Sequence, residues 1–126
     1  MSITSIDVGG IICQYFAVGA GEPIVLLHCT GHSGRQWAEL AAALRTDFEV
    51  IAPDLCGYGG TAHWPGSGTF NLGIEADLVA ALVERLNRPA HIVGHSFGGA
   101  VALQLALRHP DLVKSLTVIE PAAFHL

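Results

Sequence analysis

The sequence predicts an α/β fold, a mostly parallel sheet preceded by an N-terminal antiparallel hairpin. Three observations predict it. Short apolar runs alternate with helix-like segments along the 126 residues, the pattern of strands that return to one sheet through helical crossovers. The apolar share is 51%, and runs such as Ile24-Val25-Leu26-Leu27 lack polar alternation, as strands covered on both faces require. Finally, a Gly-x-Ser-x-Gly segment, Gly94 to Gly98, joins one apolar run to a helical one.

Each element follows from its residues. Ile3 to Val8 and Ile11 to Val18, split by Gly9-Gly10, read as the hairpin. Gly19-Ala20-Gly21-Glu22-Pro23 is a turn, and Ile24 to His28 a buried strand. Ser33-Gly34-Arg35-Gln36 has the form of a capping box, with Ser33 as N-cap and Gln36 reaching back to it. The helix behind it should bury Trp37, Leu40, Ala41 and Leu44. Phe48 to Pro53 is a further strand, and the Gly-rich stretch from Gly57 to Gly68 is loop. Asn71 caps a helix with Val79, Leu82, Val83 and Leu86 on one face, ended by Asn87 and Pro89. Ala90 to Val93 is the strand before the serine segment, Ala100 to Leu107 the helix after it, and Val113 to Ile119 the last strand, closed by Pro121.

Composition narrows the function classes. The length suits one domain at most. A net charge of −5, with no basic cluster, argues against nucleic acid as a partner. No apolar run approaches a bilayer span, and Met1-Ser2-Ile3-Thr4 does not open a signal peptide, so a cytoplasmic location is expected. Cys13, Cys29 and Cys56 form no C-x-x-C pair and are odd in number, which favours free thiols in a reducing compartment. The 7 histidines show no metal-ligand spacing, and neither metal nor cofactor is expected.

The chemistry centres on Gly94-His95-Ser96-Phe97-Gly98-Gly99. Between a strand and a helix, this spacing is that of a nucleophile elbow. The turn strains the serine backbone, so its neighbours two positions away must lack side chains, and Gly99 lets the helix approach the sheet closely. Ser96 is thereby aimed out of the sheet, with helix N-terminal amides beneath it to face a developing oxyanion. Reactive groups in such sheets lie beyond the C-terminal strand ends. His28, Asp54, Ser96 and Glu120 end strands there. His28 reads as an orienting residue, Asp54 as a structural turn residue, and Cys29 as a small buried hydrophobe. His95 should diverge from Ser96, while His63 and Trp64 stand in the loop, where they could touch substrate, although a solvated loop is the simpler reading.

Four stretches carry a resemblance: Leu26-Leu27-His28 with Trp37 beyond it, Ala52 to Gly59, Val93 to Gly99, and Arg108-His109-Pro110-Asp111-Leu112-Val113. In this order they resemble the N-terminal part of an α/β-hydrolase of the single-domain esterase, lipase and haloperoxidase-like type. The resemblance implies that the His28 strand lies beside the elbow strand, and that the amides of Thr30 and Phe97 form the oxyanion hole. It implies a serine hydrolase acting on a small-molecule carboxylic ester or related acyl substrate without a cofactor. A lyase or haloperoxidase-like activity would share the site, whereas Ser in place of Asp at position 96 excludes dehalogenation. The family usually has Gly after the histidine, so Cys29 is expected to reshape the hole.

The remaining triad members are the open question. Their order in this fold is Ser, acid, His. His109 and Asp111 stand at the far end of the elbow helix, roughly 20 Å or more from Ser96 by helical rise. Glu120 ends the neighbouring strand, and His125 is the second-last residue, where a base is rarely held in register. The resemblance places the acid and histidine on later strands. Residues 1–126 therefore read as a partial core domain, truncated after about the sixth strand and lacking the later strands, the lid and the expected triad partners. The alternative is a catalytically incompetent fragment that pairs with another chain. Either way the Val113 to Ile119 strand is expected to self-associate through its exposed edge.

Overall fold

The computed structural model describes residues 2–62 and 71–120. Strand β1 (Ser2–Val8) pairs antiparallel with β2 (Ile11–Val18), and the sheet continues through β3 (Glu22–Leu27), β4 (Phe48–Pro53), β5 (Ala90–His95) and β6 (Val113–Ile119). The order is β1-β2-β4-β3-β5-β6, with β4, β3, β5 and β6 mutually parallel and β2 antiparallel to β4. This is the architecture the alternating pattern predicts. The strand ending before His28 lies beside the elbow strand, with Leu27 opposite Gly94.

The period-2 geometry of a strand explains the unbroken apolar run in β3. Ile24 and Leu26 face one cluster, with Phe16, Trp37, Ala41, Val50 and Ala52. Val25 and Leu27 face the other, with Ile51, Ile92 and residues of the two long helices, α2 (Leu72–Glu84) and α3 (Phe97–Arg108). Val25, Leu26 and Leu27 are fully buried, worth roughly 1.5–3 kcal/mol each. The central strands thus anchor the edge from which the site projects.

The segment after Ser33 departs from the expected single helix. Gly34–Trp37 forms a 3₁₀ turn, followed by α1 (Ala38–Leu44). Three residues per turn instead of 3.6 shift the phase of the apolar stripe. Trp37 and Ala41 are buried as expected, Leu44 is half-buried, and Leu40 is rotated outward to 38% exposure. Asn71 caps α2 as predicted, its side chain accepting from the Ile74 amide at 3.0 Å. No helix among the described residues is long and apolar enough to cross a membrane.

Candidate active site

Ser96 sits in the turn between β5 and α3 with φ 54° and ψ −115°, a region that side-chain-bearing residues rarely occupy. Two glycines make this possible. A Cβ on Gly94 would strike the Gly98 carbonyl, and one on Gly98 would strike the carbonyls of Leu27 and His28. The turn is further held by the Ser96 amide donating to Ile119 at 3.0 Å and the Ala100 amide donating to Ser96 at 3.1 Å. Phe97 is the first residue of α3, where the backbone N–H has no intrahelical acceptor.

The end of β3 is fixed by His28, which is fully buried. Its Nε2 accepts from the Leu55 amide at 2.9 Å, so the ring proton resides on Nδ1, which donates to the Cys29 carbonyl at 2.7 Å. Burial pushes the His28 pKa down, which keeps the ring in this neutral form. With both nitrogens engaged, His28 orients its loop, as its sequence position suggests, and is no candidate base. The Cys29 carbonyl also accepts from the His32 amide at 3.3 Å. In a trans peptide the N–H points opposite the C=O, so these two bonds dictate where the exposed Thr30 amide points. Cys29 itself lies outside the left-handed backbone region, so the missing glycine introduces no strain there.

Asp54 and Gln36 tie the surrounding loops. Asp54 accepts from the Gly60 amide of its own loop at 2.9 Å and from the Gly34 amide at 2.8 Å, a structural role wider than the local turn expected. Gln36 overturns the capping-box reading. Ser33 does cap the 3₁₀ turn, accepting from the Arg35 amide at 3.3 Å. Gln36, however, turns away from Ser33: its Oε1 accepts from the Cys29 amide at 2.8 Å and its Nε2 meets His95 Nδ1 at 2.6 Å. The local reward of a cap loses to two longer-range bonds. His95 is thereby engaged with Gln36 beside the elbow.

Glu75 is a residue the sequence reading missed. It is 2% exposed and accepts from the Cys56 amide at 2.7 Å through Oε1, while Oε2 has no partner among the described residues. Burial pushes its carboxyl up to about 7, against the downward pull of the Cys56 amide. It lines a cavity of about 20 Å³ with Cys13, Thr61 and Leu78, large enough for one water. The signal was present: Glu75 lies four and seven positions before Val79 and Leu82 on the apolar face of α2.

The β5–β6 register brings His95 opposite Ile119, so Ser96 and Glu120 each follow directly on the last paired residue of neighbouring strands. Glu120 is exposed, with φ 43°. His109 is bonded to Asp77 at 2.8 Å, at the far end of α3 from Ser96. His63, Trp64, Pro121 and His125 lie outside the described residues.

The profile of the alpha/beta hydrolase fold matches residues 22–126. The chain belongs to the alpha/beta hydrolase family. Among curated alpha/beta hydrolase relatives, the lipase LipV of Mycobacterium tuberculosis is 38% identical over 109 residues, covering 86% of this chain and 41% of its own length. The 2-hydroxymuconate semialdehyde hydrolase of a Pseudomonas species is 35% identical over 121 residues, covering 90% of this chain and 41% of its own. Among solved structures, the epoxide hydrolase CorEH superposes with a TM-score of 0.89 at 32% identity, covering 95% of this chain and 42% of that one. The chain thus spans about two fifths of the length of these hydrolases.

Proposed function

We propose that this chain carries the nucleophile and oxyanion-binding part of a serine hydrolase that cleaves a carboxylic ester or related acyl substrate. The observation that carries this reading is the strained backbone of Ser96 at the head of α3. In the proposed reaction Ser96 Oγ adds to the acyl carbon while a histidine takes its proton. The oxyanion is met by the Phe97 and Thr30 amides, and the alcohol departs with the proton from the histidine. Water then cleaves the acyl-enzyme by the same steps. The acid is Glu120 or one beyond it. The base is His125 or a histidine further along a longer chain, in keeping with the order Ser, acid, His. Residues 1–126 are then a partial core domain.

Ester chemistry is supported by relatives named as a lipase and, at 40% identity over 102 residues, as a pimeloyl-[acyl-carrier protein] methyl ester esterase from Chromobacterium violaceum. We place the protein in the cytoplasm, on the strength of three free cysteines, each half-buried. β6 borders the sheet with Leu116 at 37% and Ile119 at 42% exposure, and this edge is the proposed self-association surface.

A fluorophosphonate probe followed by peptide mass spectrometry tests the assignment. Covalent labelling is expected at Ser96 and lost in Ser96→Ala. Labelling at Ser33 or Ser115 instead, or none at all in a chain long enough to include the base, would remove Ser96 as the nucleophile.

A further inference from the structure

We infer that Gln36 is a positioning residue that couples the proposed oxyanion loop to the nucleophile turn and sets the tautomer of His95. The inference rests on the serine-hydrolase reading for its functional half, and on geometry alone for its tautomer half. Gln36 lies 7 residues from Cys29 and 59 from His95, yet one side-chain amide meets both. The Cys29 amide can only donate, so it must face the Gln36 oxygen, at 2.8 Å. That fixes the orientation of the amide, which leaves its NH₂ group to face His95 Nδ1 at 2.6 Å. An NH₂ only donates, so Nδ1 must be the unprotonated nitrogen and the neutral His95 ring carries its proton on Nε2. His28, with its proton on Nδ1, is the opposite tautomer.

The consequence for the site lies in which loop amides are already bonded. Leu27 is opposite Gly94 at the end of the β3–β5 pairing, and the loop runs on from there beside the nucleophile turn. Gln36 takes up the Cys29 amide of that loop. With its carbonyl held by His28 and His32, Cys29 is fastened on both sides, and the next N–H, that of Thr30, is the one left to meet an oxyanion. Gln36 thus selects which amide of the loop serves, and fastens that loop to the residue preceding Ser96. It touches no reacting atom in this scheme.

Ring ¹⁵N spectra of the histidine-labelled 126-residue chain read the tautomer directly. The parent is expected to show unprotonated Nδ1 and protonated Nε2 at His95. Gln36→Glu still accepts from Cys29 but cannot donate, so Nδ1 of His95 should gain a proton. A merely structural role predicts no such reversal. A protonated Nδ1 in the parent, or an Nδ1 unchanged in a folded Gln36→Glu variant, overturns the clamp. Fluorophosphonate labelling, in a chain long enough to include the histidine base, tests the functional half. Gln36→Leu should slow labelling by about 10–100-fold, short of losing an oxyanion donor outright, and labelling at the parental rate overturns the positioning role. If the tautomers are as expected but the parent form of that longer chain does not label, the hydrolase reading fails and the clamp stands.

Discussion

Replacing Glu75 with glutamine should alter how stability depends on pH, in one defined direction. The Glu75 carboxyl is buried between α2 and the Cys56 loop, with a pKa of about 7 against an ordinary 4.5. Between those values the folded chain keeps the proton and the unfolded chain releases it. Stability from this group therefore falls as pH rises through that window and levels off above about 7. At ~1.4 kcal/mol per pH unit, the whole window is worth about 3 kcal/mol. Glutamine keeps an oxygen for the Cys56 amide and has no proton to release. Urea unfolding of parent and Glu75→Gln, followed by circular dichroism from pH 4.5 to 8, gives the difference in stability. The variant should gain about 3 kcal/mol on the parent across this range. His28 acts in the opposite sense: its pKa is lowered by burial, so its contribution is lost as pH falls below about 6.5. It is common to both proteins and cancels in the difference. Parallel pH profiles for the two proteins would refute the burial-driven retention of the Glu75 proton.

Other perturbations follow from the same geometry. Ser96→Gly should raise stability by ~1–3 kcal/mol, the strain of a side chain at that φ, while abolishing fluorophosphonate labelling; calorimetry showing no gain would remove the strain from the account. Gly98→Ala places a methyl against the Leu27 and His28 carbonyls and should destabilise by ~1–3 kcal/mol in urea melts; an unchanged midpoint would show that the approach of α3 to the sheet is looser than described. The 126-residue chain should sediment as a dimer or larger species at micromolar concentration, and Leu116→Lys should shift it toward monomer; a parent that is already monomeric removes the edge-pairing proposal.

Much of this was legible because single residues left the backbone few choices. Gly94 and Gly98, two positions either side of Ser96, admit no side chain in the folded chain, and their spacing between an apolar run and a helical one announces the turn. The solid run Ile24 to Leu27 suits a strand covered on both faces. Gln36 was not legible, since a capping box and a long-range clamp ask for the same residue at the same spacing, and only the fold brings His95 within reach. Leu40 was misplaced because a helical wheel assumes one pitch, and here the first turn is wound tighter. Glu75 was passed over because the apolar face of α2 was read for its hydrophobes, and a carboxyl kept protonated occupies such a face on nearly the same terms.

The N-terminal hairpin is joined to the rest of the sheet over only half its length. β2 pairs with β4 from Tyr15 to Val18, opposite Val50 to Pro53, and its earlier half is bonded instead to the loop that follows β4. The Asp54 amide donates to Gln14 at 2.9 Å, the Ala62 amide to Ile12 at 3.1 Å, and the Gln14 amide to Thr61 Oγ1 at 2.9 Å. That loop is the one whose Leu55 and Cys56 amides are held by His28 and Glu75. The hairpin is therefore no detachable module. In a chimera assembled from two relatives, a crossover point placed between β2 and β3 would separate Ile12 and Gln14 from the Asp54–Ala62 segment they were matched to, and the mismatch would be transmitted to the reactive edge. A graft that carries both segments from the same parent keeps that seam intact.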